Sequence, residues 1–153
     1  MRKVDTMPGK VSDYMTRKLV TISPDMGVRE AYFLMRDKDI RHLPVVENDE
    51  LVGIISDRQL RRPNWADEAP DIEHPYLLSD DLNVGDVMVT DVITCHTYET
   101  LSKANQKVLD HNVGALPVLD KTENLVGILS AVDLLAALQD ILKREKSLKK
   151  ARA

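Results

Sequence analysis

The sequence predicts an α/β (α+β) fold made of two pseudo-twofold related β-α-β-β-α units packed into one module. Three observations carry this. The first is an internal repeat. Sliding the chain by 73 positions lays residues 11–47 on 84–120 and, after one extra residue in the second copy, lays 51–60 on 125–134. Those 47 pairs hold 15 identities, including Asp13/Asp86, Met15/Met88, Thr21/Thr94, Ala31/Ala104, Pro44/Pro117, Gly53/Gly127 and Ser56/Ser130; average residue usage would give about 3. The second is that each copy places a β-branched run, a helical periodicity and two further apolar runs in the same order. The third is the copy number: two repeats favour a closed pair, because an open solenoid needs three or more.

Each copy begins with a short lead-in turn, at 11–15 and 84–88. A strand is predicted at 18–22, matched by 91–95. Ser23-Pro24-Asp25 predicts a helix start, since proline suits a first turn and Ser or Asp can cap it. That helix runs to about Lys38, with Val28, Ala31, Tyr32 and Met35 on one face. In the second copy Leu101, Ala104 and Val108 hold the equivalent places, and Thr97 and Glu99 mark the start. Apolar runs at 43–46 and 51–55 predict two strands joined by a turn at 47–50; the second copy repeats this at 116–119 and 125–129, with its turn at 120–124. A proline near a strand start is tolerated, which suits Pro44 and Pro117. Each copy closes with a helix, short at 57–62 and long at 131–149.

The organisation is then a first motif at 9–62, an acidic, proline-containing linker at 63–82, a second motif at 83–142 and a basic tail at 143–153. The linker carries three prolines, six acidic residues and no Lys or Arg, and reads as a solvated crossing on which Trp65 and Tyr76 pack down. The tail holds six basic residues and one acid. It reads as a solvated helix end favourable to the dipole, or as a docking arm for an acidic partner, a membrane or nucleic acid.

A net charge of -4 makes no global case for nucleic acid. The single cysteine, Cys95, forms no intrachain disulfide and fits a reducing, cytoplasmic setting. Residues 1–10 lack the apolar core of a signal peptide, and no apolar run approaches the ~18 residues of a membrane span. With 4% aromatic residues, the core must be aliphatic.

The phrases I-R-H-L-P-V-V (40–46), V-G-A-L-P-V-L (113–119), L-V-G-I-I-S (51–56) and L-V-G-I-L-S-A-V-D (125–133) resemble a tandem pair of CBS domains, the cystathionine-β-synthase motif, also called a Bateman module. The resemblance covers about residues 11–138 and is similar to short, stand-alone prokaryotic CBS-pair proteins. It implies two intertwined units packed sheet to sheet, with clefts for adenosyl ligands: AMP, ADP, ATP or S-adenosylmethionine. It also implies a homodimer.

An adenine nucleotide needs an apolar slot for the base, a paired acceptor for the ribose diol, and cations or backbone N–H groups for phosphate. Asp133, at a helix start, can take both ribose hydroxyls, and Ser130 can reach the sugar or the α-phosphate. The resemblance adds a base slot from Ile128, Gly114 and Ala115 with Leu19 and Val20 of the other copy's first strand, and phosphate cations from Arg41 and His42. The symmetry-related second cleft would use Ile54, Ser56, Arg58, Val92 and Ile93, with Arg41 again. There Gln59 stands where the ribose aspartate should be, so that cleft is expected to be empty or weak, or to use Asp57 and Arg58 in another way. Plainer roles stand beside each of these. Asp133 would be a helix N-terminal residue, Ser130 an N-cap, His42 a solvent-facing strand residue and Arg41 a partner of the acidic linker. Cys95 would be a buried strand residue, and Gly53 and Gly127 would only permit close packing.

No catalytic residue is assigned. The chain lacks a phosphate-cradling glycine loop ending in Gly-Lys-Ser/Thr, a Gly-x-Ser-x-Gly elbow and a His-Glu-x-x-His pair. Cys95 and His96 point to opposite faces of a strand, whereas a nucleophile and its base converge. His74, His96 and His111 show no metal spacing, so neither metal nor cofactor is expected. The function read from the sequence is a regulatory module that senses an adenosyl ligand and changes its dimer or partner contacts. The alternative is a ligand-independent dimerisation or interaction module with vestigial clefts. A target protein is implied but not named; membrane and nucleic-acid partners are not expected.

Overall fold

A computed structural model describes residues 9–61 and 81–152. The chain separates into two compact units, and the cuts fall within the repeats. One unit holds Val20–Val92; the other holds Met1–Leu19 together with Ile93–Ala153. Each lead-in segment therefore belongs with the core of the other sequence copy. The expected packing of Trp65 and Tyr76 lies outside the described residues.

In the Val20–Val92 unit, α1 (Val28–Lys38) buries Val28, Ala31 and Met35, with Tyr32 packed partly against the same core. It ends at Asp39, whose left-handed backbone (φ 54°) lets its N–H bond the Arg36 and Met35 carbonyls. Strands β1 (His42–Glu47) and β2 (Glu50–Ser56) form an antiparallel hairpin. Asn48 and Asp49, both at positive φ (53° and 65°), make its two-residue turn, a conformation these side chains tolerate. The short helix α2 (Asp57–Arg61) follows directly. Helix α3 (Val84–Val87), the second copy's lead-in, then returns to this unit. It places Val84 in the core with Leu43, Val45, Ile55 and Leu60.

The other unit repeats the plan. Val11–Asp13 forms a 3₁₀ turn that puts Val11 in the core, with Met15 just beyond it. Strand β3 (Cys95–His96) pairs in parallel with β4 (Ala115–Leu119), which pairs antiparallel with β5 (Leu125–Ser130). Helix α4 (Leu101–His111) starts at Thr100, whose hydroxyl accepts the Lys103 N–H, and ends at a left-handed Asn112 (φ 52°), the counterpart of Asp39. Helix α5 (Ala131–Arg152) runs past the predicted end, so the basic tail continues it.

Two sequence expectations need correction. The strand at 18–22 reduces to one parallel bridge, Ile22 with Val45, and its partner at 91–95 shifts to Cys95–His96. Proline is the cause. Ile22 N–H donates to the Pro44 carbonyl and its own carbonyl accepts from Val46. The next rung towards the N-terminus would need an N–H from Pro44, or from Pro117 in the other unit, and proline has none. The first helix likewise starts at Val28, not at 23–25. Ser23 closes a local turn with Asp25 and Met26. The Pro24 and Met26 carbonyls accept from Gly85 and Val84, so they bind α3 instead of opening a helix.

Each lead-in is held by reciprocal backbone bonds. Thr16 N–H donates to the Ile128 carbonyl (2.8 Å) and Ile128 N–H to the Thr16 carbonyl (3.0 Å); Ile54 and Val89 do the same at 3.0 and 2.9 Å. This approach requires glycine. A β-carbon on Gly127 would stand 2.7 Å from the Thr16 oxygen, and one on Gly53 would meet the Met88 side chain and lie 3.1 Å from the Val89 oxygen. Gly127→Ala should therefore cost about 1–3 kcal/mol, the usual range for overpacking. Urea unfolding checks this, and an unchanged midpoint would refute it.

Candidate ligand-binding site

The site begins where β5 runs without a loop into α5. The first N–H groups of a helix have no intrahelical partner, and Ser130 and Asp133 answer this reciprocally. Asp133 N–H donates to Ser130 Oγ (3.2 Å), and Ser130 N–H donates to Asp133 Oδ2 (2.9 Å). This is a capping box with aspartate at the third position. Ala131 N–H donates to the Gly114 carbonyl, which ties the start of β4 to the same corner. Across the ladder Ala115 pairs with Ser130, and Pro117 with Ile128.

Of the residues named from the sequence, Gly114, Ala115, Ile128, Ser130 and Asp133 thus meet at one strand–helix corner, and Leu19 belongs to the same unit. Ile128, Ser130, Asp133 and Leu19 are half-buried, and Gly114 is exposed. Ala115 is only 4% exposed, so its side chain is not available to line a cleft. One residue at this corner went unnamed. Thr16 Oγ lies 3.3 and 3.4 Å from the two Asp133 oxygens. Its signal in the sequence was indirect: the repeat pairs Thr16 with Val89 and Asp133 with Gln59.

The corresponding corner of the Val20–Val92 unit has the same frame and different chemistry. Ser56 Oγ accepts the Gln59 N–H (3.1 Å), and Asp57 N–H donates to the Arg41 carbonyl (3.0 Å). The Gln59 side chain is turned to donate to the Val87 carbonyl. Its amide is therefore spent on the lead-in, and Val89 supplies no hydroxyl. Among the other second-cleft residues, Ile54 is bridged to Val89, Arg58 is exposed, and Val92 is half-buried. Ile93 belongs to the other unit and packs partly against that unit's own core.

Val20, Arg41 and His42 also belong to the Val20–Val92 unit. Arg41 is exposed and His42 half-buried at the start of β1. Burial pushes the His42 imidazole below its ordinary value. The Asp57 carboxylate opposes that shift, and Arg41 reinforces it. His42 is thus neutral at pH 7, and of the two expected phosphate cations only Arg41 carries charge there.

Cys95 is fully buried in β3. Burial, reinforced by the Glu99 carboxylate and opposed by Lys107, pushes its thiol up to about 12, far from a reactive thiolate. Glu99 is buried, which alone would raise its carboxyl; bonds from Lys107 (3.1 Å) and the His96 N–H (2.7 Å) outweigh this and hold it below the usual carboxylate range. These groups fix the start of α4 and lie apart from the Ser130–Asp133 corner. Among the described residues, no group of three or more His, Cys, Asp or Glu is placed to hold a metal, and no helix is long and apolar enough to cross a membrane.

The His42 environment gives a pH prediction. A depressed histidine stabilises the fold fully above its unfolded value, near 6.5, and loses that contribution as pH falls from there through the folded value. Urea midpoints should therefore fall between pH 7.5 and 5.5 in the native chain and fall less in His42→Gln. Parallel losses in both proteins would contradict the assignment.

The CBS domain family model matches residues 11–63 and 84–140. CBS domain-containing protein YhcV of Bacillus subtilis is 32% identical over 124 residues, which is 81% of each chain. Homoserine O-acetyltransferase of Methanohalobium evestigatum is 32% identical over 125 residues, which is 81% of this chain and 23% of that one; this chain thus spans about a quarter of that relative. Among solved structures, the CBS-pair protein CBSX2 of Arabidopsis thaliana superposes with a TM-score of 0.70 at 28% identity, covering 88% of this chain and 96% of that one. CBSX2 in complex with AMP matches with the same TM-score at 25% identity, covering 86% and 97%. Two matched segments, a shared fold and the repeated Gly-Ile-x-Ser corner agree, and the chain belongs to the CBS-domain family as a tandem pair of CBS repeats.

Proposed function

We propose that this chain is a regulatory module that binds an adenosyl ligand of the AMP, ADP or ATP type and signals occupancy through changed contacts with a second copy or a target protein. The observation that carries the proposal is the Ser130–Asp133 corner. A carboxylate fixed at a helix N-terminus by a backbone N–H, half-exposed beside Ile128 and the Gly114 backbone, is suited to accept a ribose diol with the base against the apolar strand. Hydrogen bonds to a charged group contribute roughly 1.5–3 kcal/mol. The likeness to CBSX2, whose structure was solved with AMP, supports the choice of an adenosyl ligand. The relatives that are enzymes share only part of their length with this chain, and the role proposed is that of the shared part. A ligand shifts a conformational equilibrium only by its unequal affinity for the two states, and micromolar binding, about -8 kcal/mol, leaves range for that.

A second reading has its own observation. Leu135, Leu138 and Leu142 are 62%, 48% and 49% exposed along α5. Leu135 and Leu138 line an apolar groove between α4 and α5 together with Leu101, Val108, Leu134 and Ile141, and Leu142 lies one turn beyond Leu138. A second copy of the chain covering this face would make the module a dimerisation device independent of ligand. Sedimentation equilibrium distinguishes the two: a dimer lost in Leu138→Glu and indifferent to AMP favours the second reading.

Calorimetry with AMP tests the first. It should bind at one equivalent per chain, because at the other corner Gln59 puts an amide where Asp133 puts a carboxylate. Asp133→Ala should cost about 1.5–3 kcal/mol of affinity, and Gln59→Ala should leave affinity unchanged. Unchanged affinity in Asp133→Ala would remove the assignment.

A further inference from the structure

We infer that Thr16 is a positioning residue, whose hydroxyl sets the Asp133 carboxylate in the orientation that receives the two ribose hydroxyls. The inference rests on the reading of Asp133 as the ribose acceptor. Four observations carry it. The first is the geometry: Thr16 Oγ stands almost equally far from both carboxylate oxygens, at 3.4 and 3.3 Å, so its one proton can be donated to either. The second is acceptor accounting. An ionised carboxylate offers about four lone-pair sites. The Ser130 N–H takes one on Oδ2 at 2.9 Å, and the Thr16 proton, given to one oxygen, takes another. The two that remain match the two donors of a vicinal diol.

The third observation is rigidity. Thr16 is exposed at its side chain, but its backbone is pinned by both hydrogen bonds to Ile128, and Met15 before it is buried. The hydroxyl therefore projects from a fixed point, which a solvent molecule in its place would not do. The fourth is the internal control that the repeat supplies. At the equivalent corner both partners change together: Val89 replaces the threonine and Gln59 the aspartate, and the Gln59 amide is turned to the Val87 carbonyl. The corner that has no carboxylate at the position of Asp133 also lacks the hydroxyl.

The test uses the full chain, with AMP and 2′,3′-dideoxy-AMP as probes in calorimetry. Thr16→Val should weaken AMP roughly five- to tenfold, the size of one modest hydrogen bond. It should leave dideoxy-AMP, which offers Asp133 no hydroxyl, within about twofold of its value for the native chain. Thr16→Ser, which keeps the hydroxyl, should restore AMP affinity. In an Asp133→Ala background Thr16→Val should add nothing further, because the two act as one unit. The inference is overturned if Thr16→Val leaves AMP binding unchanged or tightens it, if it weakens both probes equally, or if Thr16→Ser fails to restore binding. AMP binding that depends on Asp133 but not on Thr16 defeats this inference alone; no AMP binding by the native chain defeats the proposed function with it. Should Thr16→Val lose its thermal transition, Thr16→Ala is read by the same criteria.

Discussion

A carbonyl oxygen occupies the space that a side chain at residue 127 would need, and most of the architecture follows from that contact. Because Gly127 has no β-carbon, the lead-in segment can lie against β5 and exchange two backbone hydrogen bonds with Ile128. Once there, it inserts Val11 and Met15 into the core with Leu116, Val118 and Leu129. Burial of side chains that size contributes about 1.5–3 kcal/mol each. The same approach delivers Thr16 to Asp133. Gly53 allows the equivalent contact with Val89 in the other unit. Each unit is thus completed by a segment that the sequence assigns to the other copy, and neither copy builds its core from consecutive residues alone.

The two corners separate scaffold from chemistry. Serine caps the following helix in both, glycine admits the lead-in in both, and a backbone N–H from the helix start bonds the residue before the second strand in both. What differs is carried by few side chains. One corner holds a carboxylate between a serine N–H and a threonine hydroxyl; the other holds an amide already committed to a carbonyl. The two copies share the frame, whose glycines and buried apolar residues are held by packing, and differ in solvent-side groups, where substitution costs little stability.

Much of this was legible in the sequence because the repeat reports packing twice. Paired residues such as Ala31/Ala104, Leu43/Leu116 and Val45/Val118 lie in buried positions, and Ser130 with Asp133 reads directly as a capping pair. The exchange of lead-ins was not legible, since an apolar pattern says that Val11 will be buried without saying in which core. The first strands were overestimated from β-branched content. Their limit is set by the missing N–H of Pro44 and Pro117, a property of the partner strand that only pairing brings into play. Thr16 escaped notice because its partner is 117 residues away in sequence. The neutral state of His42 depends on burial, which residue type alone does not fix.

The most direct measurement of adenosyl recognition is a thermal-shift comparison of the native chain with AMP, ADP, ATP, S-adenosylmethionine and NAD. A compound present at 100 times its Kd should add about 2.7 kcal/mol of stability, a rise of several degrees for a protein of this size. A clear rise with at least one adenosyl compound is the predicted result. The absence of a shift with every one of them would contradict a role in adenosyl sensing and leave the apolar face of α5 as the seat of function.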